Sequence, residues 1–314
     1  MQKKLSIVIP VFNEEENVKK LYSELKEVLD KIEYISEIIF VDDGSTDKTP
    51  EILEELSRTD KRIKLIFFSR NYGQTPAISA GIEHSSGNII ITIDADLQND
   101  PSDIPVLLKE IESGYDVVSG WRKNRKDPFF SRRLPSYIAN AIISKLTGVK
   151  LHDYGCTLKA YRAEIIKKFA IYGEMHRFLP AYCSWQGGKI TEVVVNPRPR
   201  LYGKSKYGIN RTFKVILDLI VVKFLLSYLT KPIYIFGGIG IFMFISGTVV
   251  NIFVFIRKIF LKGQWLSPLF FIGFLLWTLS IICILLGFVM EVLVRLYIES
   301  KEKLPFRISR KVNL

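Results

Sequence analysis

A doubly wound, mostly parallel α/β sheet is predicted for residues 1–208, followed by membrane-surface helices and two transmembrane helices. Three observations carry this prediction. Strand-like and helix-like apolar patterns alternate with short links, the sequence form of a parallel sheet wound by crossover helices. One β-branched run, Ile89-Ile90-Ile91-Thr92-Ile93, reads as a buried strand and breaks abruptly into Asp94-Ala95-Asp96-Leu97-Gln98. Residues 233–256 and 265–290 contain no charged side chain.

The elements follow in order. Residues 5–11 form a strand, and Val18, Leu21, Tyr22, Leu25, Val28, Leu29 and Ile32 then recur at helical spacing. Strand 38–41 comes next, and then a helix with Thr49 as N-cap and Pro50 at its first position, where a missing N–H costs nothing. Residues 63–68 are a strand, Thr75-Pro76 repeats the helix-start chemistry, and strand 89–93 closes the regular alternation. Beyond 116–120 the pattern becomes irregular and cationic, with Arg122, Lys123, Arg125, Lys126, Arg132 and Arg133. A helix over 134–146 puts Ile138, Ile142, Ile143 and Leu146 on one face, 189–196 alternates as a late strand, and 197–208 is a basic, glycine-containing loop. Residues 209–231 are apolar but interrupted by Lys214, Asp218 and Lys223, as suits amphipathic helices lying in the headgroup layer.

Each uncharged run is long enough to cross a hydrocarbon core of about 30 Å at about 1.5 Å per helical residue. Residues 232–292 therefore read as a two-helix transmembrane hairpin, with 293–314 a basic tail. Lys223 and Lys231 precede the first span; Arg295, Lys301, Lys303, Arg307, Arg310 and Lys311 follow the second; the loop between carries Arg257, Lys258 and Lys262. The greater positive charge lies at the ends, so the N-terminal domain and the tail are expected in the cytoplasm of a multi-pass plasma-membrane protein. Gly237, Gly238, Gly240 and Gly247 in the first span permit close helix contacts, including those of a homo-oligomer.

A net charge of +12 and a pI near 9.4 call for an anionic partner. Nucleic acid is not expected, because the basic residues accompany no recognition helix or aromatic RNA-binding motif. Three cysteines without a C-x-x-C spacing argue against a disulfide framework or a zinc site. The start of the chain runs from Lys3-Lys4 directly into a strand, unlike a signal peptide.

A parallel sheet brings strand carboxyl ends together, so Asn13, Glu14, Asp42, Asp43, Asp94 and Asp96 are expected on one edge, in the crevice where open α/β sheets bind ligands. Each acid-bearing turn alone is explicable by turn chemistry. All three on one edge point to a site, and oxygen ligands of this kind suit a hard divalent cation. A dinucleotide-binding fold is the rival, but no G-x-G-x-x-G follows the first strand, and carboxylates there repel a pyrophosphate unless a cation intervenes.

The runs IVIPVFNEEEN, VDDGSTDKT and DADLQNDP resemble the family 2 glycosyltransferases of the GT-A fold. HDYGCTLKAYR at 152–162 and PRLYGKSKYG at 199–208 narrow the resemblance to the polyprenyl-phosphate glycosyltransferases, similar to dolichol-phosphate mannose synthase and nearest to bactoprenol glucosyltransferase. The resemblance implies that Pro10, Phe12, Glu14 and Asp43 hold the nucleotide of a nucleotide-sugar, with Phe12 on base or ribose and Asp43 accepting from the base edge. It implies that Asp94 lines the nucleotide and metal side as a catalytic acid, and that Asp96 and Gln98 ligate Mg²⁺ or Mn²⁺. Asp153 is the acid at the acceptor side, orienting the sugar or metal, or taking a proton. Arg122, Arg200, Lys204 and Lys206, with Arg125 and Arg133 behind them, are the cations for an anionic lipid acceptor.

The implied reaction moves a sugar, glucose from UDP-glucose, to undecaprenyl phosphate with inversion. A lipid phosphate is already an anion at neutral pH, its second pKa being about 6, so no strong general base is required. Alternatives are transfer of another sugar such as mannose or an aminosugar, and a non-catalytic membrane-tethered nucleotide-sugar sensor. A processive polysaccharide synthase is disfavoured, because the chain lacks Q-x-x-R-W and has too few spans for a channel.

Overall fold

The computed structural model describes residues 3–123, 134–168, 175–199, 233–261, 267–299 and 306–314. The chain divides into two compact units, one of Met1–Leu219 with Leu304–Leu314 and one of Ile220–Lys303.

In the first unit, β1 (Lys4–Val11), α1 (Val18–Leu29), β2 (Ile35–Asp42), α2 (Thr49–Thr59), β3 (Ile63–Phe68), α3 (Gln74–His84) and β4 (Ile89–Thr92) alternate strictly. Next come α4 (Ile104–Glu112), β5 (Val117–Trp121), α5 (Leu134–Thr147), β6 (Lys159–Arg162), α6 (Ala163–Ile166), α7 (Leu179–Trp185) and β7 (Ile190–Val194). The chain's end adds β8 (Ile308–Val312). Among the described residues one sheet holds them all, in the order β7-β5-β6-β4-β1-β2-β3-β8.

The winding follows from the period-2 pattern of β1. Leu5, Ile7 and Ile9 join Leu21, Leu25 and Leu107 in one core, whereas Val8 on the other face meets α3. At that contact a Cβ on Gly81 would lie 2.3 Å from Val8 Cγ1, so only glycine lets α3 come so near the sheet. β1 pairs parallel with β2 and with β4, which carries the carboxyl ends of all three strands to one edge.

The sheet is mostly parallel, as expected, and two reversed strands make it mixed. β6 runs antiparallel between β4 and β5, and β8 runs antiparallel along β3. Neither is legible as a strand: β6 is Lys-Ala-Tyr-Arg, and β8 alternates Ser309 and Lys311 with Arg310 as an outer strand does. The 293–314 segment read as a tail thus ends in a paired strand. Both predicted helix starts move towards the N-terminus, by one residue at α2 and by two at α3. Thr49 and Thr75 lie inside α2 and α3, with Lys48 and Gly73 at the caps. Their hydroxyls serve other elements, Thr49 Oγ1 accepting from the Glu14 N–H at 2.9 Å and Thr75 Oγ1 bonding His176 Nδ1 at 2.7 Å.

The second unit is a helical hairpin of α8 (Ile233–Leu261) and α9 (Pro268–Glu299). Ile233–Phe260 and Pro268–Leu293 are long and apolar enough to span a membrane, and only 17% and 11% of them is buried. Most of their apolar surface thus faces outward, as on helices that could span a membrane. Gly240 lies against Ser280 and Ile284, and Gly247 against Gly273 and Trp277, so these two glycines serve the packing of the hairpin itself. Trp277 Nε1 donates to Thr248 Oγ1 at 3.1 Å across the pair. The predicted amphipathic helices of 209–231 lie outside the described residues.

Candidate active site

At the ends of β1 and β2 two loops are laced together. The Asn13 N–H donates to Ser45 Oγ at 2.9 Å, Asn13 Oδ1 accepts from the Thr46 N–H at 2.8 Å, and the Lys48 N–H donates to Glu15 Oε2 at 3.0 Å. Asn13 has φ 54°, a left-handed conformation that asparagine tolerates better than most residues. Glu14 accepts from Asn17 Nδ2 at 2.6 Å. Pro10 lies within β1 opposite Val41, and Phe12 follows the strand, half-buried.

Asp43 is buried, and each carboxylate oxygen accepts a backbone N–H, Oδ1 from Tyr72 at 2.7 Å and Oδ2 from Gly73 at 2.8 Å. Burial outweighs these two bonds and pushes its pKa up to about 6. Gly44 has φ +73°, and a Cβ there would lie 2.5 Å from the carbonyl carbon of Arg70. The 42–47 loop thus rests backbone to backbone on 70–71, which glycine alone allows.

From Tyr72 and Gly73 the chain enters α3, whose first residue, Gln74, donates its Nε2 to Asp94 Oδ1 at 2.7 Å. Three consecutive residues therefore join the Asp43 side to the acid turn. In that turn burial alternates: Ile93, Ala95 and Leu97 are buried, whereas Asp94, Asp96 and Gln98 keep partial access to solvent. Leu97 adopts φ 60°, a strained conformation for a leucine, and its buried side chain anchors the turn. The Gln98 N–H donates to Asp96 Oδ1 at 3.1 Å. Desolvation and the neighbouring charge of Asp96 raise the Asp94 pKa, opposed by the Thr157 hydroxyl and the charges of Arg122 and Lys159.

Asp153 and Arg122, expected in separate roles, form a fork-to-fork pair. Arg122 Nε lies 2.8 Å from Asp153 Oδ2 and Nη2 lies 3.1 Å from Oδ1, with side chains only 9% and 5% exposed. Burial opposes the guanidinium charge, but Asp153 outweighs it and holds the Arg122 pKa above its ordinary value. The loop carrying Asp153 is fixed from three sides. Gly155 N–H donates to Asp153 Oδ1 at 3.1 Å, Thr92 Oγ1 to the Thr157 carbonyl at 2.7 Å, and Lys159 Nζ to the carbonyls of Tyr154 and Cys156 at 3.1 and 2.5 Å. Lys159 is buried on β6, and desolvation brings its pKa down to about 8.

The structure thus gathers Asp94, Asp96, Gln98, Arg122 and Asp153, and links them through Gln74 to the Asp43 side. Gln74, Thr157 and Lys159 were not foreseen; no sequence signal separates them from ordinary helix, loop and strand residues. Arg200, Lys204 and Lys206, with Arg125 and Arg133, lie outside the described residues. The described chain before Arg200 is anchored at the acid turn: the Arg198 N–H donates to the Gln98 carbonyl at 3.0 Å, and its guanidinium pairs with Asp100 and Glu24 at 2.7 and 2.5 Å.

The donor set suits a hard divalent cation. Asp94 and Asp96 are like charges in a partly desolvated turn, a repulsion that a cation between them relieves, and Gln98 adds an amide oxygen. No group of three or more His, Cys, Asp or Glu side chains placed to hold a metal ion stands among the described residues. A cation that keeps waters and takes substrate phosphates as ligands needs only one or two protein carboxylates.

The glycosyl transferase family 2 model matches residues 6–169, which contain every one of these described site residues. A dodecaprenyl-phosphate galacturonate synthase of Rhizobium johnstonii is 42% identical over 299 residues, covering 93% of this chain and 88% of its own. An undecaprenyl-phosphate 4-deoxy-4-formamido-L-arabinose transferase of Salmonella choleraesuis is 36% identical, covering 84% and 79%. Among solved structures, glucosyl-3-phosphoglycerate synthase of Mycobacterium tuberculosis, in complex with Mn²⁺ and UDP-glucose, superposes with a TM-score of 0.57 at 16% identity, over 70% of this chain and 79% of that one, a likeness of fold. With its mixed GT-A-like sheet and acid-lined edge, the chain belongs to glycosyl transferase family 2 and is a glycosyltransferase.

Proposed function

We propose that this enzyme transfers a sugar from a nucleotide-sugar to the phosphate of a polyprenyl phosphate at the membrane surface, inverting the anomeric carbon. The observation that carries the reading is the placement of Asp94 and Asp96 beside the buried Arg122–Asp153 pair, in a chain that also holds two helices long and apolar enough to span a membrane. The 42% and 36% identical relatives, both named for polyprenyl-phosphate acceptors, support it.

In the step proposed, an acceptor phosphate oxygen forms the new bond to the anomeric carbon. The bond to the donor diphosphate breaks, and its electron pair leaves with the diphosphate oxygen. No proton need move, because the acceptor enters as an anion. Asp96 and Gln98, with Asp94 lining the nucleotide and metal side, would hold Mg²⁺ or Mn²⁺, which would supply positive charge against the departing diphosphate. Pro10, Phe12, Glu14 and Asp43 form the nucleotide side. Asp153, held in two bonds by Arg122, is suited to orienting rather than to abstracting a proton. Arg122, Arg200, Lys204 and Lys206 supply positive charge for the acceptor phosphate.

The membrane arrangement is part of the proposal. β7 and β8 belong to one sheet, so any crossings between Val194 and Ile308 are even in number. Two spans, 232–292, satisfy that count, and a third through 209–231 does not. Residues 1–208 form the catalytic domain, 209–231 lie at the membrane surface, and 293–314 return on the cytoplasmic side.

Glucose carried on UDP is the donor expected from the sequence, while the relatives are named for galacturonate and 4-deoxy-4-formamido-L-arabinose. The test incubates purified full-length protein with Mn²⁺, undecaprenyl phosphate and radiolabelled UDP-glucose, UDP-galacturonate, UDP-N-acetylglucosamine or GDP-mannose in turn. One label is expected to become lipid-extractable only when polyprenyl phosphate is present. Nucleotide release that ignores the lipid in every arm contradicts the reading.

A further inference from the structure

We propose that the C-terminal strand is a positioning part of the donor site, with Phe306 and β8 holding the 69–74 segment that joins Asp43 to Asp94. The inference rests on the donor-site reading above.

The contacts run continuously from the chain's end to the site. β8 pairs with β3 along its length, and Phe68 sits opposite Ile308. Ser309 Oγ donates to the Phe67 carbonyl at 2.9 Å, Asn313 Nδ2 to the Ile63 carbonyl at 3.0 Å, and Arg310 forms an ion pair with Glu54 on α2. Just before the strand, buried Phe306 stacks on Phe68 at 4.9 Å, and Phe68 meets the Tyr72 ring edge-on at 5.6 Å. The Ser69 N–H donates to the Arg307 carbonyl at 3.2 Å, and Ser69 Oγ lies 3.2 Å from the Tyr72 hydroxyl.

The 69–73 segment has no helix or strand of its own. It is held from one side by Asp43, which takes the N–H groups of Tyr72 and Gly73, and from the other by Arg307, with Phe306 acting on it through the Phe68 ring. Gln74, whose amide reaches Asp94, is the next residue. A loop clamped on two faces is already ordered when a ligand arrives; freed on one face, it must be ordered at the expense of binding. Tyr72, Gly73 and Gln74 therefore depend for their position on a strand some 240 residues downstream, a separation seen in the Ser309–Phe67 bond at |i−j| 242.

The experiment uses full-length protein in lipid nanodiscs and measures two things: calorimetric binding of UDP and GDP with Mn²⁺, and deuterium exchange of the 69–74 amides. Phe306→Ala is expected to weaken binding of the preferred nucleotide about tenfold and to speed exchange at 69–74. Phe306→Tyr, which keeps the stacking, should restore both to within about twofold of wild type. Arg310→Ala, which loosens β8 without touching the loop, should weaken binding about threefold, and it carries the test if Phe306→Ala does not fold. Unchanged binding and unchanged exchange at 69–74 in a variant whose β8 amides have become exchangeable overturn the inference. A wild type that binds neither UDP nor GDP contradicts the donor-site reading, and the exchange measurement then still decides whether β8 holds the loop.

Discussion

Around the ends of β1 and β2, the site is built from hydrogen bonds between side chains and backbone; around the ends of β4 and β5, it is built from buried charges. The first region fixes a shape. Asn13, Ser45, Thr46 and Thr49 tie two loops together, and Asp43 spends both oxygens on a third. The second region fixes a potential. Asp94, Asp96, Arg122, Asp153 and Lys159 lie within electrostatic reach of one another in a partly dry environment, where each charge counts for more than it does in water. Recognition of a nucleotide needs the former, and departure of a diphosphate needs the latter. Changes on the charged side should therefore strike turnover, and changes on the hydrogen-bonded side should strike donor affinity.

The largest effect is expected at the acid turn. Asp96→Ala should lower kcat by about 10²–10³-fold or more, with donor KM changed far less, since the lost interaction grows as the diphosphate leaves. A loss confined to KM would erase the distinction between the two regions.

Arg122→Met comes next, because it leaves Asp153 in a buried position without its guanidinium. A destabilisation of about 3–5 kcal/mol is expected, read as a fall in melting temperature in detergent. Adding Asp153→Asn to the same chain should recover most of that stability and none of the activity. If stability stays lost in the double variant, the pair is not the compensated unit its geometry describes.

Gly44→Ala tests the other region. With φ +73° and a Cβ position 2.5 Å from the Arg70 carbonyl carbon, the 42–47 and 70–71 loops must separate. Donor KM should rise about tenfold or more, with acceptor KM little changed, at a stability cost of about 1–3 kcal/mol. Equal effects on both substrates would argue that the loops shape the whole cleft.

The smallest effect concerns pH. Asp43 carries a pKa raised from 3.8 to about 6 in the folded chain, so its ionisation opposes folding above that pH, and the opposition fades as pH falls from 6 towards 4. Asp43→Asn lacks this titration. The melting temperature of wild type should therefore gain on that of Asp43→Asn as pH drops through this window, by an amount worth on the order of 2 kcal/mol. A constant difference between the two contradicts the raised pKa.

How much of this was legible in the sequence differs between the same two regions. The acid turn was readable because parallel topology forces strand ends to one edge and Ile89–Thr92 is unmistakably apolar. Asp43, Asp94 and Asp96 follow from that alone, whereas Gln98 as a ligand rests on the family resemblance. Partnerships were not readable: Arg122 and Asp153 meet across 31 residues, and either looks the same in sequence whether it pairs with the other or with a ligand. Lys159 in a short strand resembles a solvated lysine until the neighbouring carbonyls are seen to close on it. β8 was missed because an edge strand needs only one apolar face, so Ile-Ser-Arg-Lys-Val after a charged stretch carries the composition of a tail. The helix starts slipped, by one residue at α2 and two at α3, because Thr49 and Thr75 use their hydroxyls for tertiary contacts.

The central claim is tested most directly by titrating Mn²⁺ back into metal-stripped full-length protein and following lipid-extractable sugar, in wild type and in Asp96→Asn. The account predicts that chelation abolishes transfer, that Mn²⁺ restores it, and that the variant needs at least about tenfold more Mn²⁺ for half its own maximum. Transfer that continues undiminished after chelation, or identical Mn²⁺ curves for the two proteins, would contradict it.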